Sequence, residues 1–185
     1  MSAPKRFLPK RGGVKLLPLL LLVALALPAM ADEQPPAKTE APILILDRGP
    51  IVRVVSQAGD TVGNLVSGAL DLIGIRYRRG GTSPDTGFDC SGFVSHVFRK
   101  TLGLILPHSA REIAKSGEKV RKDELQPGDL VFFNTMRRTF SHVGIYLGEH
   151  LFVHAPASGG EVRVEDMRTS YWSKRFTGAR RIDIN

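Results

Sequence analysis

The chain of 185 residues has a single cysteine, Cys90. An internal disulfide is therefore excluded, and so is any CxxC zinc or redox pair. No cysteine lies near Ala31, which excludes lipid attachment at a mature N-terminal cysteine. The sequence also lacks an apolar run of the roughly 20 residues needed to span a bilayer. The closest approach, residues 16–27, is short, interrupted by Pro18 and bounded by Pro28. Internal repeats and a second recognisable module are absent as well. A strong basic excess is less informative than it looks. The net charge of +8 comes from 26 Lys and Arg against 18 Asp and Glu, and five of those bases lie in the first 15 residues. Without them the balance is 21 to 18, or +3, so the composition gives no argument for a nucleic-acid partner.

The N-terminus has its own pattern. Lys5, Arg6, Lys10, Arg11 and Lys15 precede the apolar run, and Ala29-Met30-Ala31 has the small-x-small form of a signal-peptidase site. Residues 1–31 read as a cleaved signal peptide, which predicts export across the inner membrane to the periplasm or cell wall and no stable membrane insertion afterwards. Residues 32–42 lack apolar periodicity and read as linker. The apolar patches at 43–55 fit either a short strand pair or an arm over the domain, so 32–59 is assigned as linker or arm.

From Asp60 the periodicity is helical. Apolar residues at 62, 65, 66, 69, 70 and 73 share one face, with Asp60 as expected N-cap and Gly74 as expected stop. A glycine-rich loop, 80–87, leads into a second helix expected to begin near Asp89 or Cys90 and to end at Gly103. Ser109-Ala110-Arg111-Glu112 has the form of a capping box and opens a short third helix. Beyond Pro127-Gly128 the period becomes two. Strands are expected at 129–134, 141–147, 151–156, 161–165 and about 176–183. Helices followed by an antiparallel meander predict an α+β fold, with one domain over 60–185.

A lone cysteine packs as a small hydrophobe or acts as a nucleophile. At the first turn of a helix, unpaired amides and the helix dipole favour thiolate. A base must come from elsewhere. His142 and His154 fall on adjacent predicted strands. A three-residue loop Gly148-Glu149-His150 pairs His154 with Gly144, which puts both imidazoles on one face and leaves room beside His154. This assigns Cys90 as nucleophile, His142 as base and His154 as the group orienting His142. His96, His108 and His150 read as structural or surface residues. Cys90, His142 and His154 offer a metal three ligands where a structural zinc site needs four, so no metal or other cofactor is expected.

Four blocks carry a family resemblance: 77–81 (Tyr-Arg-Arg-Gly-Gly), 88–94 (Phe-Asp-Cys-Ser-Gly-Phe-Val), 125–133 (Leu-Gln-Pro-Gly-Asp-Leu-Val-Phe-Phe) and 141–148 (Ser-His-Val-Gly-Ile-Tyr-Leu-Gly). The run 152–155 (Phe-Val-His-Ala) adds a fifth element. In these the chain resembles the NlpC/P60 family of cell-wall cysteine peptidases over residues 60–185. The resemblance implies a papain-like α+β fold and hydrolysis of amide bonds in peptidoglycan stem peptides or cross-links. The bond is D-alanyl–diaminopimelate by likeness to small periplasmic murein endopeptidases, or γ-D-glutamyl–diaminopimelate. It also implies that Tyr77 lines the site and that Asp89 and Ser91 bind a free amine of the substrate, although a helix cap accounts equally for Asp89. Arg76, Arg79 and His108 depart from the family pattern, which bears on substrate preference and not on the Cys-His-His chemistry. An amidase or acyltransferase on the same scaffold, or a non-catalytic wall-binding domain, are the competing readings.

Overall fold

The computed structural model describes residues 59–135, 139–157 and 160–184. The expected signal peptide, the linker and the apolar patches at 43–55 lie outside the described residues. The first helix, α1 (Asp60–Leu70), buries Leu65, Val66 and Ala69 as its periodicity predicts. Its start and stop differ from expectation. Gly59 is the N-cap and Asp60 lies within the first turn, where its carboxylate faces the positive end of the helix dipole. The helix stops at Leu70. Gly74 instead takes a left-handed turn (φ 87°) and donates its N–H to Val162 O at 2.9 Å.

The glycine-rich loop is a small hairpin, β1 (Thr82–Ser83) paired antiparallel with β2 (Gly87–Phe88). It leads into α2 (Cys90–Leu102), whose apolar face, Phe93, Val94, Val97 and Phe98, is buried. Asp89 caps this helix by accepting from Gly92 N–H at 2.7 Å, and Gly103 ends it in the left-handed conformation (φ 69°). The short α3 (Ala110–Ile113) is capped by Ser109. Only half of the expected capping box is made. Glu112 N–H donates to Ser109 Oγ at 3.2 Å, but the Glu112 carboxylate turns to Lys115 Nζ at 2.8 Å.

A six-stranded antiparallel sheet completes the α+β fold. Its strands are β3 (Glu118–Val120), β4 (Leu130–Phe133), β5 (His142–Gly148), β6 (Leu151–His154), β7 (Arg163–Asp166) and β8 (Phe176–Arg181), in the order β3-β8-β4-β5-β6-β7. β3 escaped the sequence reading because three residues are too few to display a period of two. One face of the sheet, with Leu130, Phe132, Val143, Ile145, Leu147 and Val153, packs under α1 and α2. The other, with Val131, Phe133, Tyr146 and Phe152, is covered by Met167 and by Trp172 from a short helix α4 (Ser170–Ser173), another element not anticipated.

The β5–β6 hairpin has the expected register, Ile145 opposite Val153, but reaches it differently. The loop is two residues, not three. Glu149 (φ 51°) and His150 (φ 65°) are both left-handed, as a type I′ turn demands, and a bulge between Tyr146 and Gly148 restores the register. The Tyr146 hydroxyl accepts from His150 N–H at 3.1 Å and steadies this strained turn.

Gly92 is where the hairpin loop and α2 touch. A Cβ there would lie 2.0 Å from Gly81 O, a backbone atom with no freedom to withdraw. Gly92→Ala is expected to lower stability by about 1–3 kcal/mol, read from the urea midpoint. An unchanged midpoint would mean the loop is not clamped to the helix.

Candidate active site

Two elements converge on Cys90. The first is the start of α2. Gly92 N–H is taken by the Asp89 side chain and Phe93 N–H by Asp89 O at 2.9 Å, so the amides of Cys90 and Ser91 are the ones left in the first turn. The second is β5, whose Val143 amide reaches the Cys90 sulfur along with those two amides. Val143 directly follows His142, so the fold brings the thiol to the strand that carries the first histidine.

The two histidines meet as the register requires. His142 Nε2 and His154 Nδ1 are 2.7 Å apart, with the rings nearly perpendicular and their centroids 4.9 Å apart. Gly144 makes this possible. A Cβ at Gly144 would lie 2.8 Å from the Phe152 ring and 3.1 Å from His154 Cβ. Trp172 stacks on His142 with 5.6 Å between centroids and 26° between planes, and Phe133 and Phe152 close the rest of the pocket. Among the described residues no group of three or more His, Cys, Asp or Glu side chains is placed to hold a metal ion.

Behind His154 stands a carboxylate that the sequence reading missed, Glu165 on β7. Its Oε1 lies 3.6 Å from His154 Nε2, beyond hydrogen-bond range, so the two couple as charge and dipole. Arg163 Nε donates to Glu165 Oε1 and Trp172 Nε1 donates to Oε2. Burial alone would raise this carboxyl, but His154 and Arg163 outweigh it and hold Glu165 at about 2. No motif marks it. Its only trace in the sequence was a place on an alternating strand beside an arginine.

A half-buried anion next to His154 Nε2 determines the proton pattern. The proton sits on Nε2, which makes His154 Nδ1 an acceptor. His142 must then donate from Nε2, and its Nδ1 keeps a lone pair. His154 is fully buried and His142 is 5% exposed. Burial first, and the neighbouring His154 second, push His142 well below the usual imidazole value, while burial also lowers His154. Both rings are therefore neutral at pH 7. Cys90 is half-buried, and desolvation, followed by repulsion from Asp89, pushes its thiol up to about 12 despite three favourable amides. The helix-start amides favour thiolate as expected, but burial outweighs them. The pair starts as neutral thiol and neutral imidazole.

The remaining candidates lie around the thiol. Tyr77 packs against the same core cluster as Cys90. Asp89 is used heavily as a structural acceptor, from Gly92 N–H and from Gly80 N–H at 3.0 Å. Buried Ser91 places its hydroxyl 3.0 Å from Asp89 Oδ1 and 3.1 Å from His108 O, tying α2 to the segment before α3. Arg76 and Arg79 are exposed, and His96 is buried against Phe88 with 5.0 Å between centroids.

Residues 74–181 match the family model described as NlpC/P60 family. The chain is 43% identical over 123 residues to the Escherichia coli murein DD-endopeptidase MepS/murein LD-carboxypeptidase, covering 66% of this chain and 64% of that protein. It is 42% identical over 120 residues to a gamma-DL-glutamyl hydrolase of Bacillus subtilis, covering 64% of this chain but 29% of that protein. A solved Staphylococcus aureus protein of the NLP/P60 family, similar to a lipoprotein, superposes with a TM-score of 0.62 at 34% identity, covering 69% of this chain and 43% of that one. The match thus spans less than two thirds of the length of each of these three relatives.

The buried groups fix how stability depends on pH. His142 and His154 are neutral in the fold but bind protons below pH 6.5 when unfolded, so stability is lost as pH falls from 6.5. Glu165, held at about 2 against an ordinary 4.5, contributes fully above pH 4.5 and loses that contribution between 4.5 and 2. Urea midpoints measured against pH should fall in both windows. Glu165→Gln should flatten the lower window, removing about 3 kcal/mol of pH dependence. A wild-type-like slope there in Glu165→Gln would contradict the ionised, half-buried Glu165.

Proposed function

Because this chain belongs to the NlpC/P60 family, we propose that it is a cysteine endopeptidase of peptidoglycan, with Cys90 as nucleophile, His142 as base and His154 as the residue that orients it. The observation that carries this reading is the 2.7 Å contact between His142 Nε2 and His154 Nδ1, on the strand whose Val143 amide meets the Cys90 sulfur. In this mechanism Cys90 gives its proton to His142 Nδ1 as the sulfur attacks the amide carbonyl carbon. The Cys90 and Ser91 amides at the helix start favour the oxyanion that forms. His142 returns the proton to the leaving amine, which leaves a thioester on Cys90. A water molecule, deprotonated by His142, then attacks the thioester. A carboxylic acid is released and the thiol is restored.

Glu165 acts here as a positioning residue. It holds the tautomers of both histidines and offsets the positive charge that grows on the pair during attack. Tyr77, Asp89 and Ser91 form the rim that meets the substrate. Residues 1–31 are assigned to export and 60–185 to catalysis, with the periplasm or cell wall as the site of action.

The D-alanyl–diaminopimelate cross-link is the favoured bond, supported by the identity to the E. coli murein DD-endopeptidase. The γ-D-glutamyl–diaminopimelate bond is the second reading, supported by the Bacillus gamma-DL-glutamyl hydrolase. Incubation with purified diaminopimelate-type sacculi, followed by mass spectrometry of the released fragments, separates the two by fragment mass. Absence of any new fragment from folded protein would overturn the hydrolase reading.

Cys90→Ser and His142→Ala are expected to abolish turnover with the melting curve retained, while His154→Ala leaves residual activity. Glu165→Gln should lower kcat about tenfold, or about 1.4 kcal/mol of barrier, with KM unchanged. Glu165→Asp should recover part of the kcat loss, and an unchanged kcat in Glu165→Gln with only stability lowered would assign Glu165 a purely structural role. kcat/KM should be level from pH 6.5 upward and fall only below it, following the lowered His142. Iodoacetamide should alkylate Cys90 slowly at pH 7 and faster as pH rises through 9. Rapid, pH-independent alkylation between pH 6 and 8 would instead indicate a standing thiolate–imidazolium pair.

A further inference from the structure

Arg180 on β8 is 9% exposed, and among the described residues no carboxylate pairs with it. Buried arginines ordinarily have such a partner. Its Nε donates to Ala114 O at 2.6 Å and its Nη1 to Ala179 O at 2.7 Å, while its guanidinium lies 5.6 Å from the Phe140 ring centroid. Two carbonyls hold the group in place without neutralising it, and Nη2 has no protein partner among the described residues. Arg180 lines a cavity of about 340 Å³ whose other walls include Arg111, Lys115, Lys119 and Phe140. Lys119 is the cross-strand neighbour of Arg180. Lys115 is occupied by Glu112, but Arg111 and Lys119 have no ion-pair partner among the described residues. Three of the cations around the cavity, Arg180, Arg111 and Lys119, thus have no carboxylate partner among the described residues.

Two of its walls come from segments that lead, in sequence, to the proposed catalytic residues. Phe140 stands two residues before His142. α3, which supplies Arg111, follows His108, whose carbonyl meets Ser91 beside Cys90. A planar guanidinium fork with two further cations suits a carboxylate, and the volume suits an amino-acid residue. We propose that this cavity is a subsite for a carboxylate of the peptidoglycan stem peptide, gripped by Arg180 and steered by Arg111 and Lys119. The inference rests on the peptidoglycan reading above and extends it to a named contact outside the Cys-His-His group.

The test uses the full chain carrying Cys90→Ser, so that ligand is bound and not consumed. The probes are the disaccharide-tetrapeptide purified from diaminopimelate-type sacculi, the same muropeptide with its carboxylates converted to amides, and inorganic phosphate, each followed by calorimetric titration. Arg111→Ala and Lys119→Ala, both exposed enough to leave folding intact, should each weaken muropeptide binding about threefold and together about tenfold. The amidated muropeptide should bind more weakly to the parent protein and lose nothing further in the double variant. Equal affinity of parent and double variant for the free muropeptide would overturn the subsite, as would an equal loss toward the amidated form. Phosphate binding that depends on Arg111 and Lys119 while muropeptide binding does not would also overturn it, by assigning the cavity to a phosphate ligand. Sacculus digestion by the chain with Cys90 intact separates the two claims. No digestion refutes the peptidoglycan reading, whereas digestion with charge-independent muropeptide binding refutes only the subsite.

Discussion

A single half-buried charge, Glu165, sets the electrostatics around the two histidines. Glu165 has no reason to be ionised at its depth except the groups arranged around it: Arg163 and Trp172 donating to its two oxygens, and His154 facing it at 3.6 Å. Once ionised, it dictates which nitrogen of His154 holds a proton, and through the 2.7 Å contact it dictates the same for His142. The far end of that chain is a lone pair on His142 Nδ1. In the proposed mechanism the thiol, pushed up to about 12 by burial, gives its proton to that lone pair during attack, rather than standing as an ion pair in a desolvated pocket.

Much of the surrounding fold serves to keep that relay dry and in register. The bulge and left-handed turn of the β5–β6 hairpin set His142 and His154 diagonally on one face, and Gly144 gives up its side chain so that Phe152 and His154 can close over it. Trp172 has two functions at once, since it stacks on His142 and fixes the Glu165 carboxylate. Burying such a network is costly unless every member is satisfied. Among the described residues His154 Nε2 has no hydrogen-bond partner, and the Glu165 carboxylate at 3.6 Å is the charge it faces.

The parts legible in the sequence were those set by local periodicity. Leu65, Val66 and Ala69 on α1, the Asp89 cap, and the alternation that put both histidines on one face all follow from spacing within one element. What escaped depends on contacts between elements. β3 and α4 are too short to show a period, and Gly74 was mistaken for a helix stop because its turn is set by the distant Val162 carbonyl. Glu165 and Arg180 read as ordinary strand charges. Their burial, and the presence or absence of a counter-charge, exists only once β7 meets His154 and β8 meets Ala114. The elevated thiol belongs to the same class, since a helix N-terminus can be read from sequence but the desolvation opposing it cannot.

The most direct test of the tautomer relay is the side-chain ¹⁵N spectrum of the two histidines at pH 7 in protein with intact Cys90. The structure predicts both rings neutral, His142 protonated on Nε2 with Nδ1 bare, and His154 protonated on Nε2. A proton on His142 Nδ1, or an imidazolium signature on either ring, would contradict the claim that Glu165 presets His142 as the base for Cys90.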